Sequence, residues 1–494
     1  MASNSLTSFR VITSESQGLL LNNDSVELLV DFEKKLADAS PDPEDAQDVT
    51  FYYNPRTLAQ TQGMIPQISL QYLLDERSPG FVPKKLIVGS PSYLKSVSAL
   101  LEKTSKDTIQ AYLLWKTIQS FGVYIEDDSI KPLLRLNNRL RGKEPDSKPE
   151  RWRTCVSHID GGLGWILSRF FIEQAFSKES KEFGDQIISD IKDRFVEKLN
   201  AAEWMSKDVR QLGIKKVHNI EQKVGYPTSS PNIRDPKDLD SYYNSVNIAN
   251  TTYFANTISM TKSAVNKEWA QAGKPADKDK WEMTASTVNA YYSPPDNQIV
   301  FPAGIMQSPV FYHPSIPKYL SYGAFGSVAG HELSHAFDSS GRHYDQNGVF
   351  KDWWDEHTVE AFKNKSSCFV DQYNQYSVPN RDGKQLHVNG VLTLGENIAD
   401  AGGVTAAFQA WKQSDEKNPD ELLPGLEEHT KEQLFFISYS NWWCGKTRPE
   451  EVINRIYTDP HSPFNVRIVA TMANSREFRE SFNCPVKEPT CELW

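Results

Sequence analysis

The sequence predicts an α+β protein that is mainly helical and divides into two large domains. In the first half of the chain, apolar residues recur at four-residue steps, as on one face of an α-helix. After about residue 245 a β-hairpin pattern follows, and then further stretches that are compatible with helices. The 494 residues are 39% hydrophobic and 24% charged, which excludes disorder over most of the chain and allows a substantial core. At about 150 residues per domain, the length is equally compatible with three domains.

The helical half is expected to cover residues 1–245. One stretch places its apolar residues four apart on a single helix face; they are Phe183, Ile187, Ile191, Phe195 and Leu199. Ser206 is suited to cap the next helix, which should carry Ile220 and stop before Gly225. The Pro- and Asp-rich stretch 226–240 is the best candidate for a connection between domains.

The half that covers residues 246–494 combines strands and helices. The β-rich runs Val288–Tyr292 and Gln298–Phe301 are separated by the turn-forming sequence SPPDN, which predicts a hairpin. Helix-compatible stretches follow at 322–337 and 397–411.

Composition excludes several classes of function. The net charge of -10, without basic runs, argues against binding to a nucleic-acid backbone. No window of about 18 consecutive apolar residues exists, so we expect no membrane span. The first 24 residues lack a basic region followed by an apolar one, so we expect no signal peptide. N-x-[ST] sequons at Asn23, Asn250 and Asn364 nevertheless hint at a secretory context.

Five cysteines are present, and an odd number cannot all pair within one chain; they are Cys155, Cys368, Cys444, Cys484 and Cys491. None has the C-x-x-C spacing of a zinc knuckle or a redox motif, which argues against a cysteine-based metal site.

The segment His331-Glu332-Leu333-Ser334-His335 predicts a zinc site. In a helix the two histidines are one turn apart, so both imidazoles can reach one Zn²⁺. Glu332 lies beside the first ligand, suitably placed to take a proton from a water molecule. The alternative is two histidines on a surface helix by chance, which a sequence of this composition should show about once in a hundred. Asp338, one turn beyond His335, is a candidate partner for a ligating imidazole.

A third protein ligand should come from the segment 395–400, with the sequence GENIAD. Glu396 and Asp400 are four residues apart, so on a helix both face the same neighbour. Glu396 can bind one zinc ion, with the fourth position left to water, and Asp400 can accept the remaining N–H of a ligating imidazole. Two solvated carboxylates are the alternative, which the small and apolar surroundings disfavour.

These two segments together resemble the neprilysin family (M13-type, gluzincin) of zinc metallopeptidases. Three more blocks resemble the family: 289–292 (NAYY) with 298–305 (QIVFPAGI), 459–467 (DPHSP through Arg467), and the C-x-x-W ending at 491–494. The resemblance extends from about Ser25 to Trp494. It implies a thermolysin-like catalytic domain over 246–494, an α-helical cap domain over 1–245, and hydrolysis of small peptides on the amino side of hydrophobic residues. It also implies an extracellular or secretory location, while the expected lack of a signal peptide leaves a cytoplasmic location as the alternative. The sequence defines no oligomeric state.

The resemblance also implies roles for individual residues. Asn289 and Ala290 would pair with the substrate backbone, and Arg467 would hold a substrate carbonyl. His461 would donate to the oxyanion, oriented by Asp459. The hydrophobic pocket for the side chain after the scissile bond would be formed by Ile305, Val310, Val328 and Trp443. Without the family context, Asn289 fits a turn at a strand end and Arg467 a surface salt bridge.

Two alternative functions remain. A gluzincin aminopeptidase shares the zinc motif, but its G-x-M-E-N motif is absent from this sequence. A catalytically weak zinc-binding fragment is the other alternative, because family members carry a longer N-terminal part and we expect roughly the first third of the family pattern to be absent. By resemblance, Cys368 and Cys491 would form a disulfide, and the partners of the other three cysteines would lie in that N-terminal part.

Overall fold

The computed structural model describes the backbone from Asn23 to Trp494 and the side chains from Ser25 onward. Residues 1–22, most of the stretch tested for a signal peptide, lie outside the described residues, as does the side chain of the sequon residue Asn23. The described chain is mainly helical with small β-sheets, which confirms the predicted α+β class.

The α-helices are numbered in chain order: α1 Asn23–Ala39, α2 Pro43–Gln47, α3 Val49–Tyr52, α4 Leu58–Met64, α5 Leu70–Arg77, α6 Pro91–Lys103, α7 Lys106–Phe121, α8 Lys131–Leu140, α9 Arg151–Ala175, α10 Lys178–Ala201, α11 Lys207–Asn219, α12 Pro236–Tyr242, α13 Tyr253–Trp269, α14 Lys318–Ser321, α15 Ser327–Ser334, α16 Glu356–Tyr373, α17 Leu394–Lys417, α18 Lys431–Trp442, α19 Pro449–Thr458, α20 Phe464–Ala473 and α21 Arg476–Ser481. A π-helical turn covers Tyr322–Gly326, and 3₁₀ turns cover Gly122–Tyr124, Asp128–Ile130, His335–Phe337 and Gly341–His343.

The strands are β1 Pro55–Arg56, β2 Leu86–Ile87, β3 Glu221–Gly225, β4 Tyr291–Ser293, β5 Gln298–Pro302, β6 Ser377–Pro379 and β7 Gln385–His387. In the three-stranded sheet the order is β3-β5-β4, with β3 parallel and β4 antiparallel to β5. Two antiparallel pairs, β1 with β2 and β6 with β7, complete the sheets of the described chain. Since β4 pairs with β5 alone, it is an edge strand of its sheet.

The chain packs into two compact units. One consists of the described residues up to Leu163 together with Tyr242–Ala276, and it is helical except for the β1–β2 pair. The other consists of Gly164–Ser241 together with Asp277–Trp494 and contains the three-stranded sheet. The domain boundary expected near residue 245 stays a prediction, because these units are defined by packing and each draws on two stretches of chain.

The predicted helices of the second unit are confirmed where the apolar period is regular. In α10, the residues of the expected face at Ile187, Ile191, Phe195 and Leu199 are fully buried. The Ser206 Oγ accepts a hydrogen bond from the Val209 amide and so caps α11, as its position indicates.

The end of α11 differs from the prediction. This helix was expected to include Ile220, but it ends at Asn219, and Glu221–Gly225 forms β3 instead. Strand β3 pairs with β5, in which Gln298 lies opposite Glu221. Because that partner is far away in the sequence, local periodicity cannot indicate the strand.

The expected hairpin is present as β4 and β5, joined by the SPPDN turn. The first strand begins at Tyr291 rather than Val288, so Asn289 and Ala290 immediately precede the strand. The amide of Gly304 donates to the Ala285 carbonyl, and a Cβ at Gly304 would lie 2.4 Å from the Ser286 carbonyl oxygen. Residues 285–287, which precede β4, therefore pack closely against the loop that follows β5.

Helices α15 and α17 approach each other closely at two glycines. A Cβ on Gly330 would lie 2.6 Å from the Gly403 carbonyl oxygen, and a Cβ on Gly403 would lie 2.5 Å from the His331 amide nitrogen. Such distances leave no room for a side chain, so both positions require glycine. The approach brings the side chains of the two helices into one buried cluster, with Leu333 on α15 and Ile398 on α17 fully buried.

The predicted disulfide between Cys368 and Cys491 is present, and it joins α16 to the C-terminal segment. Cys155, Cys444 and Cys484 are free thiols, the first two of them exposed. Among the described residues, no helix combines the length and apolar character needed to cross a membrane.

Candidate metal centre

Three side chains converge between α15 and the start of α17. His331 lies in the last turn of α15, His335 begins the following 3₁₀ turn, and Glu396 lies in the first turn of α17. The Nε2 atoms of the two histidines are 3.0 Å apart. The Glu396 Oε2 lies 3.1 Å from His331 Nε2 and 3.5 Å from His335 Nε2. The structure thus brings together the three predicted zinc ligands.

Each histidine is oriented through its other ring nitrogen. The His331 Nδ1 lies 2.8 Å from Asp400 Oδ1, and the His335 Nδ1 lies 2.7 Å from Asp338 Oδ2. Since an ionised carboxylate only accepts hydrogen bonds, both Nδ1 atoms carry the proton. Both Nε2 lone pairs therefore point to the region beside Glu396, and Asp338 and Asp400 stand where the sequence predicted histidine partners.

The group of ligand atoms fits a zinc ion. Ligand atoms about 2.0–2.1 Å from a tetrahedral zinc lie roughly 3.3 Å from one another. The three distances here, 3.0, 3.1 and 3.5 Å, bracket that spacing. Glu396 Oε2 is buried and forms no hydrogen bond, although the Nε2 atoms of His331, His335 and His461 lie 3.1, 3.5 and 3.2 Å away. A buried carboxylate oxygen without a donor is costly, and a cation in this position would satisfy it.

Glu332 directly follows His331 on α15 and is 6% exposed. It therefore shares the buried helix that carries the first ligand, as the sequence indicates.

His461 contacts the same carboxylate from another side. Its Nε2 lies 3.2 Å from Glu396 Oε2, and its Nδ1 lies 2.8 Å from Asp459 Oδ1. Burial alone would lower the pKa of His461, but Glu396 and Asp459 raise it to about 9. The ring is therefore protonated at neutral pH in this arrangement and can donate from Nε2.

Two side chains that the sequence analysis missed hold this histidine in place. The Arg455 Nε donates to Asp459 Oδ2 at 2.7 Å. Ser462 Oγ donates to Asn397 Oδ1 at 2.8 Å in a buried contact, which joins the neighbour of His461 to the neighbour of Glu396. The i,i+4 spacing of Arg455 and Asp459 was a usable signal for the first contact.

Arg467 forms a buried ion pair, where the sequence alone suggested a surface salt bridge. Its guanidinium donates to both oxygens of Asp400, at 2.8 and 2.7 Å, and its Cζ lies 3.6 Å from the centroid of the Trp443 ring. Burial would raise the pKa of Asp400, but Arg467 and His331 lower it to about 2. The Asp400 carboxylate therefore stays charged while it orients His331.

The remaining predicted substrate residues also belong to the second unit. Asn289 is exposed and Ala290 is buried, both just before the edge strand β4. The residues expected to form the hydrophobic pocket are buried or half-buried apolar side chains of one cluster: Ile305, Val310, Val328 and Trp443. Their contacts with a substrate stay predictions.

Family models for the peptidase family M13 match two parts of the chain, residues 13–227 and 289–492. An endothelin-converting enzyme homolog of Locusta migratoria is 36% identical over 482 residues, 94% of this chain and 65% of its own length. Endothelin-converting enzyme 1 of Rattus norvegicus is 36% identical over 481 residues, 94% of this chain and 61% of its own length. This chain thus spans less than two thirds of the length of these relatives.

Solved structures agree with these matches. The Mycobacterium tuberculosis zinc metalloprotease ZMP1, crystallised with an inhibitor, superposes with a TM-score of 0.88 at 27% identity, over 99% of this chain and 72% of that one. PEPO from Lactobacillus rhamnosis has the same fold, with a TM-score of 0.83 at 23% identity, over 99% of this chain and 73% of that one. With both family models matched and 36% identity to such relatives, the chain belongs to peptidase family M13.

Proposed function

We propose that this chain is a zinc-dependent endopeptidase that hydrolyses small peptides on the amino side of hydrophobic residues. The observation that carries the proposal is the buried Glu396 Oε2, which has no hydrogen-bond donor and lies 3.1 and 3.5 Å from two imidazole nitrogens. A donor set of two histidines and one glutamate is that of a catalytic zinc site with one open position.

Different residues around the site would carry out the separate steps of peptide hydrolysis. Zinc held by His331, His335 and Glu396 would acidify a water molecule and polarise the substrate carbonyl. Glu332 accepts the proton that the attacking water loses and passes it to the leaving amine. His461 donates from Nε2 to the developing oxyanion, and its charge is favoured by the Asp459 carboxylate 2.8 Å from Nδ1.

Substrate binding would use the residues next to the edge strand. An extended peptide can pair with exposed backbone groups, and Asn289 and Ala290 precede β4, whose outer edge is unpaired within the described chain. Arg467 uses its Nε and one Nη2 hydrogen for Asp400, so its geometry leaves other N–H groups for a substrate carbonyl. The apolar side chains of Ile305, Val310, Val328 and Trp443 would receive the hydrophobic side chain.

The test is the Glu332→Gln variant, assayed with a short N-acetylated peptide that contains a hydrophobic residue. We expect zinc content equal to that of the wild type, but hydrolysis slower by about 10²–10⁴-fold or more, since a general base is lost. Glu360→Gln, which changes an exposed glutamate on α16, is the matched control and should keep full activity.

Other outcomes would contradict the proposal. Full activity of Glu332→Gln would exclude Glu332 as the base. Hydrolysis of the free peptide but not of its N-acetylated form would indicate an aminopeptidase. Stoichiometric zinc without any cleavage by the wild-type chain would favour a catalytically weak zinc-binding protein.

We also propose that the chain acts in the secretory pathway or outside the cell. The Cys368–Cys491 disulfide is of a kind that persists in oxidising compartments, and the sequon residues Asn250 and Asn364 are exposed. Mass spectrometry of the protein from a secreting host, before and after glycosidase treatment, should reveal a glycan at one of them. A protein that passes through that pathway with neither asparagine modified would contradict the sequon argument.

A further inference from the structure

Lys216 on α11 is a lysine without any solvent exposure. Its Nζ donates to three backbone carbonyl oxygens, those of Ala336 at 2.7 Å, Gly341 at 2.8 Å and Tyr344 at 2.6 Å. A neutral amine has two N–H donors and an ammonium has three, so only the charged form can donate to all three carbonyls at once. Lysine is rarely buried completely unless its charge is compensated. The complete burial of Lys216 therefore suggests that its ammonium has a specific structural role.

The surroundings compensate the charge without a direct carboxylate partner. Nζ lies 5.5 Å from the ring centroid of Phe337, 5.8 Å from that of Trp353 and 5.9 Å from that of Tyr292, within the range of cation–π attraction. Burial lowers the pKa of Lys216 to about 7, and the negative charges of Asp338 and Asp345 partly offset that effect.

The three carbonyls belong to the segment that follows α15. Ala336 lies between the ligand His335 and Asp338, in the 3₁₀ turn at the end of the helix, where backbone carbonyls favour a cation. Gly341 and Tyr344 belong to the next turn, so the segment 336–344 closes around Nζ. A Cβ on Gly341 would lie 1.7 Å from the His335 carbonyl oxygen, which shows how tightly the segment folds back.

Asp338 is fixed inside this closed segment. Its Oδ1 accepts hydrogen bonds from the amides of Ser340 at 2.8 Å and Gly341 at 2.6 Å. Its Oδ2 faces His335 Nδ1 at 2.7 Å. The position of the carboxylate, and through it the orientation of the imidazole, therefore depends on the backbone that Lys216 holds.

We propose that Lys216 is a positioning residue of the metal centre, which fixes the segment 336–344 so that Asp338 can orient His335 for zinc. This inference rests on the proposed function, since it requires His335 to bind the metal. Loss of the carboxylate partner of a metal-binding histidine typically costs about 10–100-fold in metal affinity. Removal of the ammonium takes away one buried donor that joins the carbonyls of Ala336, Gly341 and Tyr344, and the segment should rearrange.

The test compares zinc affinity, measured by competition with a chromophoric chelator, in the wild type and in Lys216→Met. The methionine keeps an apolar stem of similar length and removes the charge. We expect its zinc Kd to rise about 10–100-fold, and the visible absorption of the Co²⁺-loaded protein to change because the ligand geometry changes. Lys216→Arg, which keeps the charge, should recover part of the affinity.

Two matched lysines separate this role from a general loss of stability. Lys192 Nζ donates to the Ile220 carbonyl at 2.8 Å, an acceptor outside the segment 336–344, and Lys215 is an exposed neighbour of Lys216. Lys192→Met should be less stable without metal but keep the zinc Kd of the wild type, and Lys215→Met should match the wild type in both. If Lys216→Met does not fold, as judged by circular dichroism, Lys216→Gln supplies the same comparison with two donors and no charge.

A folded Lys216→Met or Lys216→Gln with the zinc Kd and the Co²⁺ spectrum of the wild type would overturn this inference alone. A wild-type chain that binds no zinc would overturn the proposed function itself. The two failures are therefore distinguishable.

Discussion

Arg467 and Asp400 form a buried ion pair with two hydrogen bonds, from Nε to Oδ2 at 2.8 Å and from Nη2 to Oδ1 at 2.7 Å. The same Asp400 Oδ1 lies 2.8 Å from His331 Nδ1. One carboxylate thus connects a guanidinium on α20 to a candidate metal ligand on α15. Both side chains are buried, so water cannot solvate either charge if its partner is removed.

Replacement of Arg467 by methionine should destabilise the protein strongly. The change leaves Asp400 buried without its cation, and such losses typically cost about 3–5 kcal/mol. We expect the free energy of unfolding in urea to fall by that amount, and zinc affinity to fall as well. Arg476→Met is the control, because Arg476 pairs with Glu488 at the surface and such pairs contribute about 0–1 kcal/mol. Equal losses in the two variants would contradict the assignment of Arg467 to the metal centre.

Gly403→Ala should separate α15 from α17. The added Cβ would lie 2.5 Å from the His331 amide nitrogen and 2.7 Å from the Ser327 carbonyl oxygen. Overpacking of this kind costs about 1–3 kcal/mol. The shift should also weaken zinc binding, because the candidate ligands His331 and Glu396 lie on α15 and α17. Thermal unfolding and chelator competition measure the two effects.

Gly161→Ala is the matched control for that variant. Gly161 also lies inside a helix, but a Cβ there would meet no atom within 4 Å. Alanine is the better helix former, so this variant should be as stable as the wild type or slightly more stable. A Gly403→Ala protein that behaves like Gly161→Ala would show that the helices can move apart without cost.

Asp459→Asn should lower kcat and leave KM and zinc content nearly unchanged. The carboxylate raises the pKa of His461 and orients its ring, so the amide should weaken hydrogen-bond donation to the oxyanion. Loss of a whole oxyanion donor costs about 10²–10³-fold, and we expect about 10–100-fold for this weaker change. Steady-state kinetics on a short peptide measure it, with Asp371→Asn on the exposed side of α16 as control. A change confined to KM would instead assign His461 to substrate binding.

Cys368→Ser should reduce stability by about 2–5 kcal/mol. The disulfide joins residues 123 apart, and a cross-link over a long loop restricts the unfolded chain substantially. Urea unfolding of the variant, compared with Cys155→Ser, gives the difference, because Cys155 is an exposed free thiol. If a reducing agent destabilises the wild type and Cys368→Ser equally, the disulfide does not provide this stability.

Much of the candidate centre could be predicted because its signals are local. His331 and His335 are spaced by one helical turn, and Glu396 and Asp400 by another, so each pair shares a helix face in any context. The position of one pair relative to the other depends on the close packing of α15 against α17 at Gly330 and Gly403. Residue spacing along the sequence cannot predict that packing. The ion pair of Arg467 was missed for the same reason: its partner lies 67 residues earlier in the sequence.

The fold was predictable to a similar extent. The apolar face of α10 and the cap at Ser206 follow from neighbouring residues, and both are confirmed. Strand β3 exists because β5 pairs with it, and the five residues Glu221–Gly225 carry no alternation of their own. From the sequence alone, Lys216 is indistinguishable from a lysine on the surface of a helix. Only the tertiary structure shows that the segment 336–344 encloses its ammonium.

The Cys368–Cys491 cross-link also has a topological consequence. Together with the backbone it closes a covalent ring that contains Glu396, His461 and Arg467, while His331 and His335 lie outside it. A single proteolytic cut in the exposed turn between β6 and β7, at residues 380–384, would therefore open the ring without releasing a fragment. The nicked chain would migrate as one species on a non-reducing gel and as two after reduction, because the disulfide would keep the piece that contains Glu396 joined to the piece that contains His331 and His335.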